Sequence, residues 1–173
     1  MNHVIDTNVL IVASGEHPDS PFLSADHPVD KPEIADKVLQ WLSDFIDSNQ
    51  LLVVDTDDAI RKEYFNKLSE QNYGRRAYID KYDKGQIEYM ALTWEVKEPD
   101  WTAELSDKLK VVVHDRSDKK FVAACIESLK ENDTNIINAC DTDWIDWEDA
   151  LAKEGIVVEQ LINDWVREKW NTK

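Results

Sequence analysis

The chain alternates short, wholly apolar runs with longer stretches in which apolar positions recur every three or four residues. His3 to Val12 is the first run, rich in β-branched residues, and reads as a buried strand. Ala13 to Lys31 carries Gly15, Pro18, Pro21 and Pro28 and reads as a long loop, of the kind that acts as a lid, binds a ligand or is mobile. Pro32 suits the first turn of a helix, whose stripe follows as Ile34, Val38, Trp41, Leu42, Phe45 and Ile46. Leu51 to Val54 is a second strand ending at Asp55, after which Thr56 or Asp57 caps a helix with Ile60, Tyr64 and Leu68 on one face. From Asn72 to Leu105 charge and aromatics mix without a clean period, and a helical insert is expected over 72–109. Val111 to Val113 reads as a third strand, followed by a helix that Asp118 opens and in which Phe121, Val122, Cys125, Ile126 and Leu129 share a side. Asn135 to Ala139 is a fourth strand, Trp144 to Lys153 a helix and Ile156 to Val158 a fifth strand. A last helix carries Leu161, Ile162, Trp165 and Val166. Short apolar strands alternating with helices predict one three-layer α/β domain over 1–173, its sheet mainly parallel and covered on both faces.

Composition narrows the class. With 173 residues and a 42% hydrophobic share, the chain is large enough for a full core and too apolar for a disordered one. No stretch approaches the roughly 20 apolar residues that span a bilayer, and the opening MNHVIDTNVL lacks the basic start of a secretory signal, so no membrane partner is expected. Cys125 and Cys140 form no ligand pattern and sit in apolar surroundings, which suits free thiols in a reducing cytoplasm and leaves a bridge between them as the alternative. The formal net charge of −16 opposes general affinity for phosphodiesters, which draws on Lys and Arg. The acidity serves solubility, holds cations or meets a basic partner, and position has to decide among these.

In an open parallel sheet, ligands gather beyond the carboxyl ends of the strands. Asp6 follows Val4 and Ile5 in a run that otherwise wants no charge, and a carboxylate buried there costs several kcal/mol unless it is paired. A local turn with Thr7 and Asn8 is the plainer account. Glu63 borders the apolar stripe of its helix, and Asp118 tops the stripe of another, where capping explains it equally well. Asp141 and Asp143 follow a strand in NACDTDW; Asp115, one turn before Asp118, has no defined direction. If strands one, three and four are neighbours, Asp6, Asp118 and Asp141 converge at one sheet end and Glu63 leans over it. Such acids repel one another unless a divalent cation neutralises them, and an all-oxygen set suits Mg²⁺ or Mn²⁺. Phosphodiester hydrolysis fits that chemistry.

VIDTNVLIV, DKKFVAAC and NACDTDW, in this order and at these intervals, resemble three motifs of the PIN-domain nucleases. The resemblance covers most of the chain. It implies a PIN-like, Rossmann-related fold and a Mg²⁺- or Mn²⁺-dependent endoribonuclease, with single-stranded RNA as substrate. Many such proteins are toxins of toxin–antitoxin pairs, which adds a basic inhibitory protein, an antitoxin, to the expected partners and leaves a homo-oligomer open. Carried over motif by motif, Asp6, Glu63, Asp118 and Asp141 are the catalytic metal ligands and Asp143 an auxiliary one. Thr7 then holds Asp6 or a water through its hydroxyl, Asn8 braces the turn, and metal-activated water attacks with no covalent enzyme intermediate. The 13–31 and 72–105 segments are longer than in compact toxin-type members.

Other classes lack their marks. A haloacid-dehalogenase-type phosphotransferase wants Asp where Asn8 stands; G-x-G-x-x-G, a P-loop and G-x-S-x-G are absent; and the four histidines include no i, i+4 pair for zinc. The remaining rival is a catalytically silent PIN-like module that binds RNA or a basic protein. Arg75, Arg76, Lys81 and Lys84, with Lys119 and Lys120 beside Asp118, are the local basic candidates for holding RNA, and solvated helix faces are the plainer account. Tyr73, Tyr78, Tyr82, Tyr89 and Trp94 could stack bases but read first as core or interface.

Overall fold

The computed structural model describes residues 1–16, 27–70 and 72–173. Its centre is a strand of four residues, β1 (Asn2–Ile5), buried throughout. On one side β1 pairs in parallel with β2 (Leu52–Asp55), and β2 with β3 (Ile87–Met90). On the other side it pairs with β6 (Thr134–Asn138), Val4 opposite Ile136 and Ile5 opposite Ile137, and β6 with β7 (Val157–Gln160). The order is β3-β2-β1-β6-β7, a five-stranded parallel sheet flanked by helices, as the alternating pattern predicts. The chain therefore builds outward from β1 in one direction and then in the other. The point of reversal lies between β1 and β6, where open α/β sheets bind ligands.

The first apolar run is not a single strand. It leaves the sheet at Asp6 and continues as α1 (Thr7–Glu16), whose residues Thr7, Val9, Leu10, Val12, Ala13 and Ser14 are buried. A helix buried on nearly every side has no polar face, so periodicity cannot distinguish it from an extended strand. The loop expected over 13–31 begins later, since α1 runs through Gly15 to Glu16; residues 17–26 of it lie outside the described residues. The amphipathic helix after Pro32 is α2 (Pro32–Asp47).

Asp55, rather than Thr56 or Asp57, prepares the next helix, α3 (Ala59–Lys67). Fully buried, it accepts the Ala59 and Ile60 amides at 2.9 and 2.7 Å, satisfying two donors of the first turn. The 72–109 segment is not a helical insert. After α4 (Tyr73–Asp83) it supplies β3, an edge strand of the sheet, then a hairpin of β4 (Trp94–Val96) and β5 (Thr102–Ala103), and only then begins α5 (Asp107–Val112). The expected strand at 111–113 belongs largely to α5, which Ser106 opens through its hydroxyl. Val111 is 81% exposed there, a position no buried central strand provides. Next, α6 (Lys119–Leu129) packs across β1, β2 and β6. The chain ends in α7 (Asp143–Lys153), β7 and α8 (Asn163–Trp170).

Two lysines read as solvated are structural. Lys81 is fully buried and donates to the Ser48 and Gln50 carbonyls and to Gln86 Oε1 at 2.9–3.0 Å, tying the end of α2 to the start of β2. Lys84 donates to the Ile46 carbonyl at 2.8 Å. Of the tyrosines, Tyr78 is buried, whereas Tyr82 and Tyr89 are exposed.

Close contact between α4 and α1 depends on Gly74, whose amide donates to Ser14 Oγ at 2.8 Å. A Cβ added there would stand 2.6 Å from Leu10 Cβ and 2.8 Å from the Leu10 carbonyl oxygen. Gly74→Ala should destabilise the protein by about 1–3 kcal/mol despite alanine's better helix propensity, because backbone has to yield. The measurement is the midpoint of urea unfolding, and an unchanged or raised midpoint would contradict this packing.

Candidate active site at the sheet reversal

Asp6 leaves the sheet at its point of reversal. Its amide donates to the Ile137 carbonyl at 3.0 Å, which pins the backbone to β6. Its carboxylate accepts the Asn8 amide at 2.8 Å and the Trp144 indole N–H at 2.5 Å. The local turn is therefore real, and so is burial: Asp6 is 5% exposed. Burial pushes its pKa up to about 7 against those two hydrogen bonds, with the charges of Asp141 and Glu63 adding to the rise.

Asp118 stands at the N-terminus of α6 and makes no side-chain cap bond, so capping does not account for it. It is 7% exposed. Burial, then the charges of Asp6, Asp115 and Asp141, raise its pKa to about 9, with Lys120 acting the other way. Asp141, half-buried beyond β6, is raised first by burial, while the Asp143 amide, donating at 2.9 Å, pulls it down. Asp6, Asp118 and Asp141 thus lie within reach of one another's charge. They meet because α6 crosses the sheet, not through a strand at 111–113.

The other predicted residues are placed differently. Glu63 accepts the Thr7 hydroxyl at 2.5 Å and pairs with Lys120 Nζ at 2.5 Å. Thr7 therefore serves Glu63 rather than Asp6. Asn8 is a brace with a wide reach: its carbonyl oxygen accepts the Ala139 and Cys140 amides at 2.9 and 3.1 Å, and its amide group donates to Asn138 Oδ1 at 2.9 Å. Asp143 turns away to Lys173 at 2.6 Å and His114 at 3.5 Å. Among the described residues, no group of three or more His, Cys, Asp or Glu side chains is drawn together tightly enough to hold a metal ion.

Three contributors were not read from the sequence. Trp144 supplies the indole that holds Asp6. Asn138, fully buried, donates to the Asp141 carbonyl at 2.8 Å and to Gln160 Oε1 at 2.6 Å, fixing the segment that carries Asp141. Lys120, 3% exposed, joins the cluster instead of facing solvent, donating also to the Ser117 carbonyl. An Asn closing an apolar strand was the available signal for the second; the first was marked only as the aromatic that ends NACDTDW, and the third only as a basic residue beside Asp118.

The thiols take no part. Burial pushes both Cys125 and Cys140 up to about 12, and both are free. His3 is packed edge-on to Trp41 and Phe45, and burial lowers its pKa to about 4.

Because the folded pKa of Asp118 lies above its unfolded value near 3.8, the folded protein holds a proton that the unfolded chain releases. Stability contributed by the protonated acid is full below that lower value and is lost as pH rises through the folded one. Asp118→Asn removes this loss. In metal-free buffer its melting temperature should exceed the native protein's by at least about 2 °C at pH 8. The gap should open above pH 4 and close toward pH 4; calorimetric melts across that range check the sign.

Compared with protein-family models, with curated proteins and with solved structures, the chain finds no match in any of the three.

Proposed function

We propose that this chain is a Mg²⁺- or Mn²⁺-dependent endonuclease that hydrolyses phosphodiester bonds in single-stranded RNA. The observation that carries the reading is the burial of Asp6 and Asp118 among like charges at the reversal point of a parallel sheet, with pKa values raised to about 7 and about 9. Carboxylates are retained in such a place at a cost to stability, and clefts holding strongly shifted acids are where function concentrates. The side chains at issue offer only oxygen, the donor a hard divalent cation takes, and Asp6, Asp118 and Asp141 would hold it if drawn closer together than they stand here. Such an ion supplies a lowered pKa for attacking water and neutralises charge on the phosphate.

The chain's own residues do the positioning. Asn8 and Trp144 hold the Asp6 carboxylate from two sides, and the buried indole keeps bulk water from that face. Asn8 and Asn138 together fix the Ala139–Asp141 segment, so Asp141 is presented from a braced turn. Glu63 acts through Lys120 and Thr7. RNA rather than DNA, and a role as toxin or defence enzyme with a basic inhibitory partner, rest on the PIN-domain resemblance and on a net charge of −16 that suits a basic protein.

A second reading, a module that binds RNA without cutting it, is favoured by the lack of a closed ligand set among the described residues and by the pairing of Glu63 with Lys120. One assay separates the two. Labelled single-stranded RNA should be cleaved with Mn²⁺ or Mg²⁺, left intact with EDTA, and cut at least about 100-fold more slowly by Asp6→Asn, the order expected for removing an electrostatic participant. Manganese should also raise the melting temperature of the native protein and not that of the variant. RNA left intact under every condition, with no manganese-induced stabilisation, would overturn the nuclease reading in favour of the module.

A further inference from the structure

Beside the acids, a cleft of about 670 Å³ opens between α3 and the β4–β5 hairpin. Glu63 and Lys120 form its inner wall; Lys62, Lys67, Trp101 and Arg116 continue it outward. We propose that this cleft seats the sugar–phosphate backbone of a single-stranded polynucleotide, with Lys120 holding the phosphate nearest the acids. The proposal rests on the nuclease reading for its substrate class and adds the residues that bind that substrate.

Charge is the first support. The chain as a whole carries 36 acids against 20 lysines and arginines. The cleft lining holds four of each, so it carries no formal net charge in a chain that is strongly acidic overall. Two of its carboxylates are paired with two of its lysines, and a third is hydrogen-bonded. Glu63 is tied to Thr7 and Lys120, Glu98 to Lys62, and Asp115 accepts the Ser117 amide and hydroxyl at 2.8 and 2.7 Å. Among the described residues, Lys67 has no ion pair, and Arg116 makes only a 3.3 Å bond to the Thr102 hydroxyl.

Geometry is the second support. Lys120 belongs both to the cleft wall and to the charge environment of Asp118, so it stands where the strand would reach the acids. Its Nζ lies 4.8 Å from the Phe121 ring centroid, and Glu63 with the Ser117 carbonyl holds it. Lys120 lines the cleft although it is only 3% exposed, so it acts on a phosphate at the inner wall through its fixed, already oriented charge. Glu63 and Thr7 are then positioning residues, acting through Lys120. On the outer wall, Trp101 is half-buried with Lys62 Nζ 5.1 Å from its ring centroid, and a base can stack on the part left open.

The test is fluorescence-anisotropy binding of a twelve-nucleotide oligouridylate in EDTA, where metal-dependent cleavage is off, over a series of salt concentrations. Each phosphate contact adds about 0.7 to the slope of log affinity against log salt for a single strand. Lys120→Gln should weaken binding about tenfold and reduce that slope by about 0.7, while Lys120→Arg keeps the slope. Arg116→Gln, at an exposed position that leaves the fold intact, should do the same as Lys120→Gln. A replacement of merely structural consequence changes stability and leaves the slope alone. Slopes unchanged in both glutamine variants, or no binding by the native protein, would overturn the proposal. The two readings fail separately: cleavage by the native protein with unchanged slopes removes only this cleft, and lowered slopes without cleavage keep the cleft and remove the nuclease.

Discussion

The structure depends on β1 being sandwiched between β2 and β6. A four-residue strand whose backbone is engaged on both sides has nowhere to send its next residue but over the carboxyl edge of the sheet. Asp6 is that residue, and its amide still bonds to Ile137, so the turn cannot drift. Asn8 then reaches back to the end of β6 and takes the Ala139 and Cys140 amides. Buried backbone donors need partners, and here a side chain from one strand end supplies them for the neighbouring one. The same exchange holds the reversal point in shape and decides where Asp141 stands.

Two buried aspartates at the same edge show what separates scaffold from site. Asp55 ends β2 as Asp6 follows β1, and both are nearly inaccessible. Asp55 accepts two helix amides, which suits an anion at a helix start. Asp6 accepts one amide and one indole and is further opposed by Asp141 and Glu63. A carboxylate with its bonds matched to its charge is a cap. One held in place while its neighbours push against its ionisation is poised for something positive to arrive.

β1, β2, β6 and β7 were legible because each is a short, mainly apolar run, the pattern of a covered parallel sheet, whereas the edge strand β3, IEYM, leaves Tyr89 exposed and carries no such run. Where the reading slipped, burial was the cause. Residues 7–16 are apolar because α1 is enclosed, not because they extend, and Val111–Val113 has strand composition in a helix that leaves Val111 in water. β4 and β5, at three and two residues, are too short to leave a period. Of the site, Asp6, Asp118 and Asp141 could be picked out as acids set against apolar runs. Partners were another matter. The Glu63–Lys120 pair joins residues far apart in sequence, and a lysine on a helix reads as solvated because its long stem permits either fate.

Lys120 changes what the acidic cluster means. A buried ion pair is seldom retained for stability, since desolvating both charges offsets most of their attraction. Here the pair does something an apolar pair could not, placing one fixed positive charge against carboxylates that otherwise only repel one another. It also divides the acids by task. Glu63 has one oxygen on Thr7 and the other on Lys120, whereas Asp118 makes no cap bond and carries the largest rise in pKa of the carboxylates with a stated value. Negative charge on one side and a fixed, nearly buried ammonium at the cleft wall on the other would be complementary halves of the phosphodiester site we propose. The overall acidity of the chain then bears on solubility and partners, while the sign that matters to a substrate is set by a few residues at the mouth of the sheet.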